Sequence, residues 1–303
     1  MAALLRLIRI ENLIIIFITQ LGVHFFILKK FTNFIALSSI QIVLLSLATC
    51  CIAAAGYIIN NIYDQEIDQI NNPKKRLVGT VISEKKAHNF YVFFNIIGVG
   101  VGLYLSNVIG KSNYIILFIV IASLLYLYAS YLKKILIVGN LTVALCTATS
   151  IIIVPIFDLT PAIYPKNQSF MRDLFQLILY ISFIAFYLNW IREMVKDVQD
   201  FKGDQAYQVR SLPVQFGLKK SKRIIIGISI GFLLILTYIL NQLLDQIPSK
   251  QLPIILALGL GPYLFYLFKL IVSKSDKDYK LLSLTLKVYM LTLLLSIMYL
   301  IHY

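Results

Sequence analysis

Residues 174–204 read LFQLILYISFIAFYLNWIREMVKDVQDFKGD. The first two thirds form an apolar run about as long as the ~20 residues a helix needs to cross hydrocarbon. The rest packs carboxylates against the end of that run: Glu193, Asp197, Asp200 and Asp204. Further upstream, the apolar run 36–60 leads straight into Asn60-Asn61-Ile62-Tyr63-Asp64-Gln65-Glu66-Ile67-Asp68. The chain has only 14 acidic residues, and these two places hold seven of them. Carboxylates set beside a membrane core are costly unless something cationic is held there.

The whole composition agrees with a membrane setting. Of 303 residues 59% are hydrophobic and 14% charged, and the mean hydropathy is +0.82. Nine apolar segments follow one another at 11–29, 36–60, 89–108, 112–132, 135–157, 174–195, 222–242, 251–273 and 281–301. Most are long enough to span. The connections are short, and none is long enough to hold a second soluble domain. The pattern predicts an all-α membrane protein, residues 1–303 as a single domain with nine transmembrane helices in one bundle around a central cavity. No cleavable leader is predicted at Met1 to Arg9, because no small-residue cleavage site follows a short apolar region. Cys50, Cys51 and Cys146 lie inside apolar runs and read as buried free thiols.

A net charge of +14 would suggest nucleic acid in a soluble chain. Here the charge sorts with topology instead, and no nucleic-acid partner is expected. With the N-terminus inside, 21 of the 28 basic residues fall in inner connections and 6 in outer ones. Cytoplasmic loops carry that excess, so the N-terminus is predicted cytoplasmic. Both acidic clusters then face the cytoplasm, after the second and sixth spans. The location expected is the plasma (inner) membrane of the cell.

On a helix, Asn60, Asp64 and Asp68 recur at every fourth residue and stack on one face, with Asn61 three before Asp64. Asp197, Asp200 and Asp204 repeat the arrangement at i, i+3 and i+7. Like charges so placed repel until a cation binds. Magnesium suits them, since it prefers hard oxygen and typically takes one or two carboxylates together with substrate phosphates. Lys196 and Arg192 are placed to reach phosphate oxygens that a metal leaves uncovered. Lys74, Lys75 and Arg76 form a similar basic run after the first cluster. Gly203 is expected to break or bend the helix and turn the following segment into a loop.

A metal-clamped diphosphate beside apolar walls suits ionisation of an allylic diphosphate. Cations offset the charge on the departing group, and the walls keep water from the carbocation. Tyr126, Tyr128 and Tyr131 on the fourth span are candidate wall residues whose ring faces could stabilise positive charge.

These residues resemble the UbiA superfamily of intramembrane prenyltransferases. The family pattern N-D-x-x-D-x-x-x-D followed by N-x-P-x-R is similar to Asn60 through Asp68 and then Asn71-Asn72-Pro73-Lys74-Lys75-Arg76. Its second pattern, D-x-x-D-x-x-x-D after a lysine, is similar to Lys196, Asp197, Asp200 and Asp204. The resemblance implies catalytic Asp64, Asp68, Asp197 and Asp200. It implies Mg2+ on Asp64, Asp68, Asp197, Asp200 and Asp204, with Asn60, Asn61, Arg76, Lys196, Asp204, Tyr128 and Tyr131 binding substrate. The partners implied are a polyprenyl diphosphate donor, a lipophilic acceptor and membrane lipid. Asn61 stands where the family usually has its first aspartate. An amide oxygen can still coordinate, but one negative charge is gone.

The stretch Arg192–Asp204 with Ser211-Leu212-Pro213 is most similar to the digeranylgeranylglyceryl phosphate synthase branch, which implies a geranylgeranylglyceryl phosphate-type acceptor. An aromatic acceptor of the hydroxybenzoate, naphthoate or homogentisate type is the alternative. An ion or solute transporter is the alternative of another class, although transport sites favour the midplane over span ends. The D-G-x-x-A-R run of CDP-alcohol phosphotransferases is absent.

Overall fold

The computed structural model describes residues 2–71, 73, 76–243, 253 and 256–302. Among them secondary structure is helical, apart from one isolated bridge between Val78 and Ile82. In chain order the helices are α1 (Ala2–Leu7), α2 (Ile10–Phe31), α3 (Ser39–Tyr63), α4 (Gln65–Asn71), α5 (Glu84–Val108) and α6 (Ile115–Ser130). They continue as α7 (Val138–Asp158), α8 (Gln168–Gln199), α9 (Phe201–Ala206), α10 (Leu212–Leu243), α11 (Gly261–Val272) and α12 (Asp276–His302).

Eight of the helical stretches among the described residues are long and apolar enough to cross a membrane. They correspond to eight of the nine apolar segments. The segment 251–273 is seen only in part, as the shorter apolar helix Leu256–Val272, and some of its first residues lie outside the described set. Side chains such as Ile40, Ile96, Ile116, Leu234 and Tyr238 are more than half exposed, an apolar exterior suited to lipid. The chain is an integral membrane protein.

Several helices outrun the apolar segments, because hydropathy marks only the part of a helix that meets hydrocarbon. Ser38 and Gln41 close a capping box at the start of α3, with Gln41 N–H donating to Ser38 Oγ (3.4 Å) and Ser38 N–H to Gln41 Oε1 (2.7 Å). Ser83 caps α5, six residues before the apolar run begins. The stretch of α10 before the run ends in a kink at Gly217, whose φ of +73° favours glycine.

The backbone divides into two compact units, Met1–Lys133 with Leu145–Phe183, and Lys134–Ala144 with Ile184–Tyr303. In the first unit α3 packs on α2, α5 and α6. Close approach depends on small residues: a Cβ on Gly98 would lie 2.7 Å from Ile52, and one on Gly102 would lie 2.5 Å from Phe118. Small residues four apart are a common way for membrane helices to approach closely. Gln20 Nε2 donates to Thr49 Oγ1 (3.1 Å) and to the Ser150 carbonyl (2.6 Å), tying α2 to α3 and α7.

Inside a π-type turn of α2 (Val23–Leu28), His24 Nδ1 donates to Asp158 Oδ2 at 2.5 Å, with both side chains fully buried. Asp158 also accepts the backbone N–H groups of Leu37 at Oδ1 (3.0 Å) and Ala36 at its carbonyl (2.9 Å). The three cysteines are free but half-buried rather than buried.

The second unit has a core of buried aromatic residues. Tyr187 stacks on Phe232 (5.1 Å, 11°), and Tyr263 meets Phe232, Tyr266 and Tyr289. Lys222 donates to the carbonyls of Ile271 (2.8 Å) and Ser273 (2.5 Å), capping the end of α11.

Candidate active site

The first acidic cluster sits on a joint. Helix α3 ends at Tyr63, Asp64 takes φ −93° and ψ 4°, and α4 restarts at Gln65. Because Asp64 N–H still donates to the Asn60 carbonyl (2.9 Å) and Asp68 N–H to the Asp64 carbonyl (2.8 Å), the fourfold spacing survives the break. Asn60 Nδ2 donates to Asp64 Oδ2 at 2.6 Å. The other Asp64 oxygen is ion-paired with Lys133, from the short turn Leu132–Lys134 after α6. Both partners of that pair are largely buried, 10% and 19% exposed for Lys133 and Asp64. Lys133 also lies 5.9 Å from the centre of the Tyr63 ring. Asp68 is half-buried on α4. Asn61 turns its amide back to the Tyr57 carbonyl (2.8 Å), so its N–H2 serves the helix.

Arg76 donates from Nη1 to Gln69 Oε1 (2.8 Å), while its buried Nε has no hydrogen-bond partner among the described residues. Tyr126 and Tyr131 are exposed and Tyr128 is half-buried. The Tyr126 hydroxyl is 3.3 Å from that of Tyr63, the residue just before Asp64.

In the second unit α8 ends at Gln199, Asp200 takes φ −90° and ψ 6°, and α9 follows. The helix break falls at Asp200 and not at Gly203 as the sequence suggests. Gly203 is buried inside α9, and its carbonyl accepts the Tyr207 N–H (3.0 Å). Asp197 Oδ2 accepts a hydrogen bond from Asn140 Nδ2 at 2.8 Å. The charges nearest in effect to Asp197 are Asp204, Glu193 and Lys196. Asp200 is exposed and Asp204 buried. Lys196 Nζ donates to both Glu193 oxygens (3.1 and 2.9 Å), and Arg192 Nη1 donates to one of them (2.9 Å). The two cations expected to reach phosphate therefore rest on one carboxylate.

The oxygen set fits a hard divalent cation. Asn60 Oδ1 is buried with no hydrogen-bond partner among the described residues, and sits on the residue that holds Asp64. Among the described residues no three His, Cys, Asp or Glu side chains are gathered as a ready metal cage. Magnesium commonly uses one or two carboxylates and completes its shell with phosphate and water.

Lys133 and Asn140 escape sequence reasoning, and Glu193 is read there only as one acid of the second cluster, without its role of holding Lys196 and Arg192. Lys133 reads as one more inner-loop charge, and Asn140 as a lone amide at the start of the fifth apolar run. A polar group at the edge of a membrane segment is the available signal.

The UbiA prenyltransferase family profile matches residues 31–291. The chain belongs to the UbiA prenyltransferase family. This is a family of enzymes that transfer prenyl groups, as the acidic joints suggest. Among its relatives is the digeranylgeranylglyceryl phosphate synthase of Pyrococcus horikoshii, 31% identical over 239 residues, covering 78% of this chain and 74% of that protein. The synthase of Saccharolobus solfataricus is 36% identical over 184 residues, 60% of this chain and 59% of that one. The chain thus spans between three fifths and three quarters of these two relatives. The fold matches a solved digeranylgeranylglyceryl phosphate synthase structure with a TM-score of 0.67 at 23% identity, covering 99% of this chain and 98% of that one. It also matches a UbiA homologue from Archaeoglobus fulgidus bound to GPP and Mg2+, with a TM-score of 0.60 at 16% identity and coverage of 97% and 99%.

Proposed function

We propose that this chain transfers a polyprenyl group from its diphosphate to a geranylgeranylglyceryl phosphate-type lipid acceptor. The observation that carries this reading is the pair of aspartate joints at Asp64 and Asp200, each at the end of a long apolar helix, with Lys133 paired to Asp64 and with Lys196, held on Glu193, four residues before Asp200. The acceptor follows the relatives named digeranylgeranylglyceryl phosphate synthase.

Asn60, Asp64 and Asp68 in one unit and Asp197, Asp200 and Asp204 in the other are the groups that would hold Mg2+, with Asn61 and Arg76 beside the first set. When bound, magnesium supplies positive charge against which a diphosphate leaves more readily. Lys133, Lys196 and Arg192 add fixed cations for the same charge, and each must exchange a carboxylate partner for phosphate. Tyr128 and Tyr131 offer ring faces to an isoprenoid tail or to its cation.

In this reading nine helices cross the plasma (inner) membrane as one domain, with the N-terminus and both joints on the cytoplasmic side. The loop-charge bias supports that orientation. The test is an assay of purified protein with labelled prenyl diphosphates against glyceryl phosphate lipid, hydroxybenzoate, naphthoate and homogentisate acceptors, read by mass spectrometry. A product only with the glyceryl phosphate lipid is expected. Product only with an aromatic acceptor would replace the acceptor, and no product with any would sink the reading.

A further inference from the structure

Helix α7 is entered through a strained turn. Val138 N–H donates to the Leu136 carbonyl at 2.8 Å, closing a γ-turn whose central residue, Ile137, has φ +67°. Such turns are rare, and a β-branched residue at positive φ is a steric outlier. Strain of this kind persists only where its surroundings impose it, and it concentrates at functional sites. The surroundings are visible: Leu136 packs on the aromatic core of its unit, and the Lys134 carbonyl accepts the Arg210 N–H (3.3 Å). Three residues after Ile137 comes Asn140, in the first turn of α7, and its amide reaches Asp197 Oδ2.

We propose that Asn140, presented by the Ile137 turn, is a positioning residue for the Asp197 carboxylate. The inference rests on the metal-diphosphate reading of Asp197. The amide holds Oδ2, while Oδ1 has no hydrogen bond among the described residues and is left for a ligand. Asp204 and Glu193 repel the Asp197 carboxylate while Lys196 attracts it, so the amide adds a restraint that these opposing charges do not supply. A neutral donor restrains the carboxylate without cancelling the negative charge that a metal needs, which a lysine here would do. Hydrogen-bonded partners of metal-binding carboxylates commonly matter this way.

The test uses full-length protein in detergent with a prenyl diphosphate present and Mn2+ as the probe, followed by electron paramagnetic resonance, with magnesium-dependent turnover measured in parallel. Asn140→Leu, nearly isosteric but without a donor, should weaken Mn2+ binding roughly 10- to 100-fold. It should raise the magnesium concentration for half-maximal turnover by a similar factor, and leave the donor KM at saturating magnesium unchanged. Asn140→Gln, which keeps a donor, should recover part of the loss. If Asn140→Leu does not fold, Asn140→Ser removes the reach with less change in packing and should show the same weakening. Mn2+ binding by a folded variant within twofold of wild type would overturn the proposal, as would a wild-type protein that binds no Mn2+. Wild-type protein that binds Mn2+ but transfers no prenyl chain would refute the enzymatic reading alone, and the titrations would still decide the role of Asn140.

Discussion

Asp64 and Asp200 occupy matching backbone joints: φ −93°, ψ 4° and φ −90°, ψ 6°, each between a long apolar helix and a short one. The hydrogen bonds match as well, from Asp64 to Asn60 and from Asp200 to Lys196 (both 2.9 Å), then from Asp68 to Asp64 (2.8 Å) and from Asp204 to Asp200 (3.0 Å). Superimposing the registers puts Asn61 opposite Asp197 and Asn60 opposite Lys196. One local device is thus used twice with different chemistry at its leading position. Asn61 donates to its own helix, whereas Asp197 accepts from another.

Asp64→Asn should lower turnover by roughly 100-fold or more, since the charge that answers a cation is lost. It also leaves Lys133, largely buried, without its counter-charge. The double variant Asp64→Asn/Lys133→Met should therefore melt higher than Asp64→Asn alone while remaining inactive. Equal melting temperatures for the two would show that the pair does not act as a pair.

Asn61→Asp restores the charge at the position matching Asp197, and should tighten Mn2+ binding. The price is local, because a carboxylate would replace the amide that donates to the Tyr57 carbonyl, costing about 1–3 kcal/mol without metal. A lower melting temperature without metal and a larger upward shift on adding it are expected. An unchanged metal titration would exclude this position as a ligand.

Removing divalent metal with EDTA should abolish prenyl transfer, and magnesium should restore it. Dependence on the combined presence of metal and diphosphate is expected, because magnesium typically takes one or two carboxylates together with substrate phosphates. Calorimetry that finds tight magnesium binding without diphosphate would contradict this.

Gly102→Ala should destabilise the protein by about 1–3 kcal/mol, since its Cβ would press on the Phe118 ring. Gly100→Ala, with open space around it, should be close to neutral in the same thermal assay. Equal effects would mean that α5 does not depend on close packing at Gly102.

His24→Leu should cost about 3 kcal/mol or more, because Asp158 would be left buried without its partner. Adding Asp158→Asn removes the stranded charge and should recover part of the loss. No recovery in thermal unfolding would mean that the two side chains do not act as a pair.

Much of this protein is legible in one dimension. Span-length apolar runs predict helices such as α3, α5 and α8 because a chain in hydrocarbon must satisfy its backbone within each segment. The same rule explains why the edges are misjudged: Ser83 caps α5 six residues before the apolar run, where hydropathy has nothing to register. The acidic spacing at Asp64 and Asp68 is legible as well, since local hydrogen bonds carry it through the joint. The break at Asp200 is not, because Gly203 is the stronger local signal for one.

The sequence by itself determined the class of protein, the helices and the two carboxylate clusters, all of which follow from composition and short-range periodicity. Tertiary structure alone decided the partners. Lys133 lies 69 residues from Asp64 and Asn140 lies 57 residues from Asp197. The His24–Asp158 pair spans 134. No local propensity encodes such pairings. They arise because a buried charge must find a counter-charge or a donor wherever packing brings one within reach.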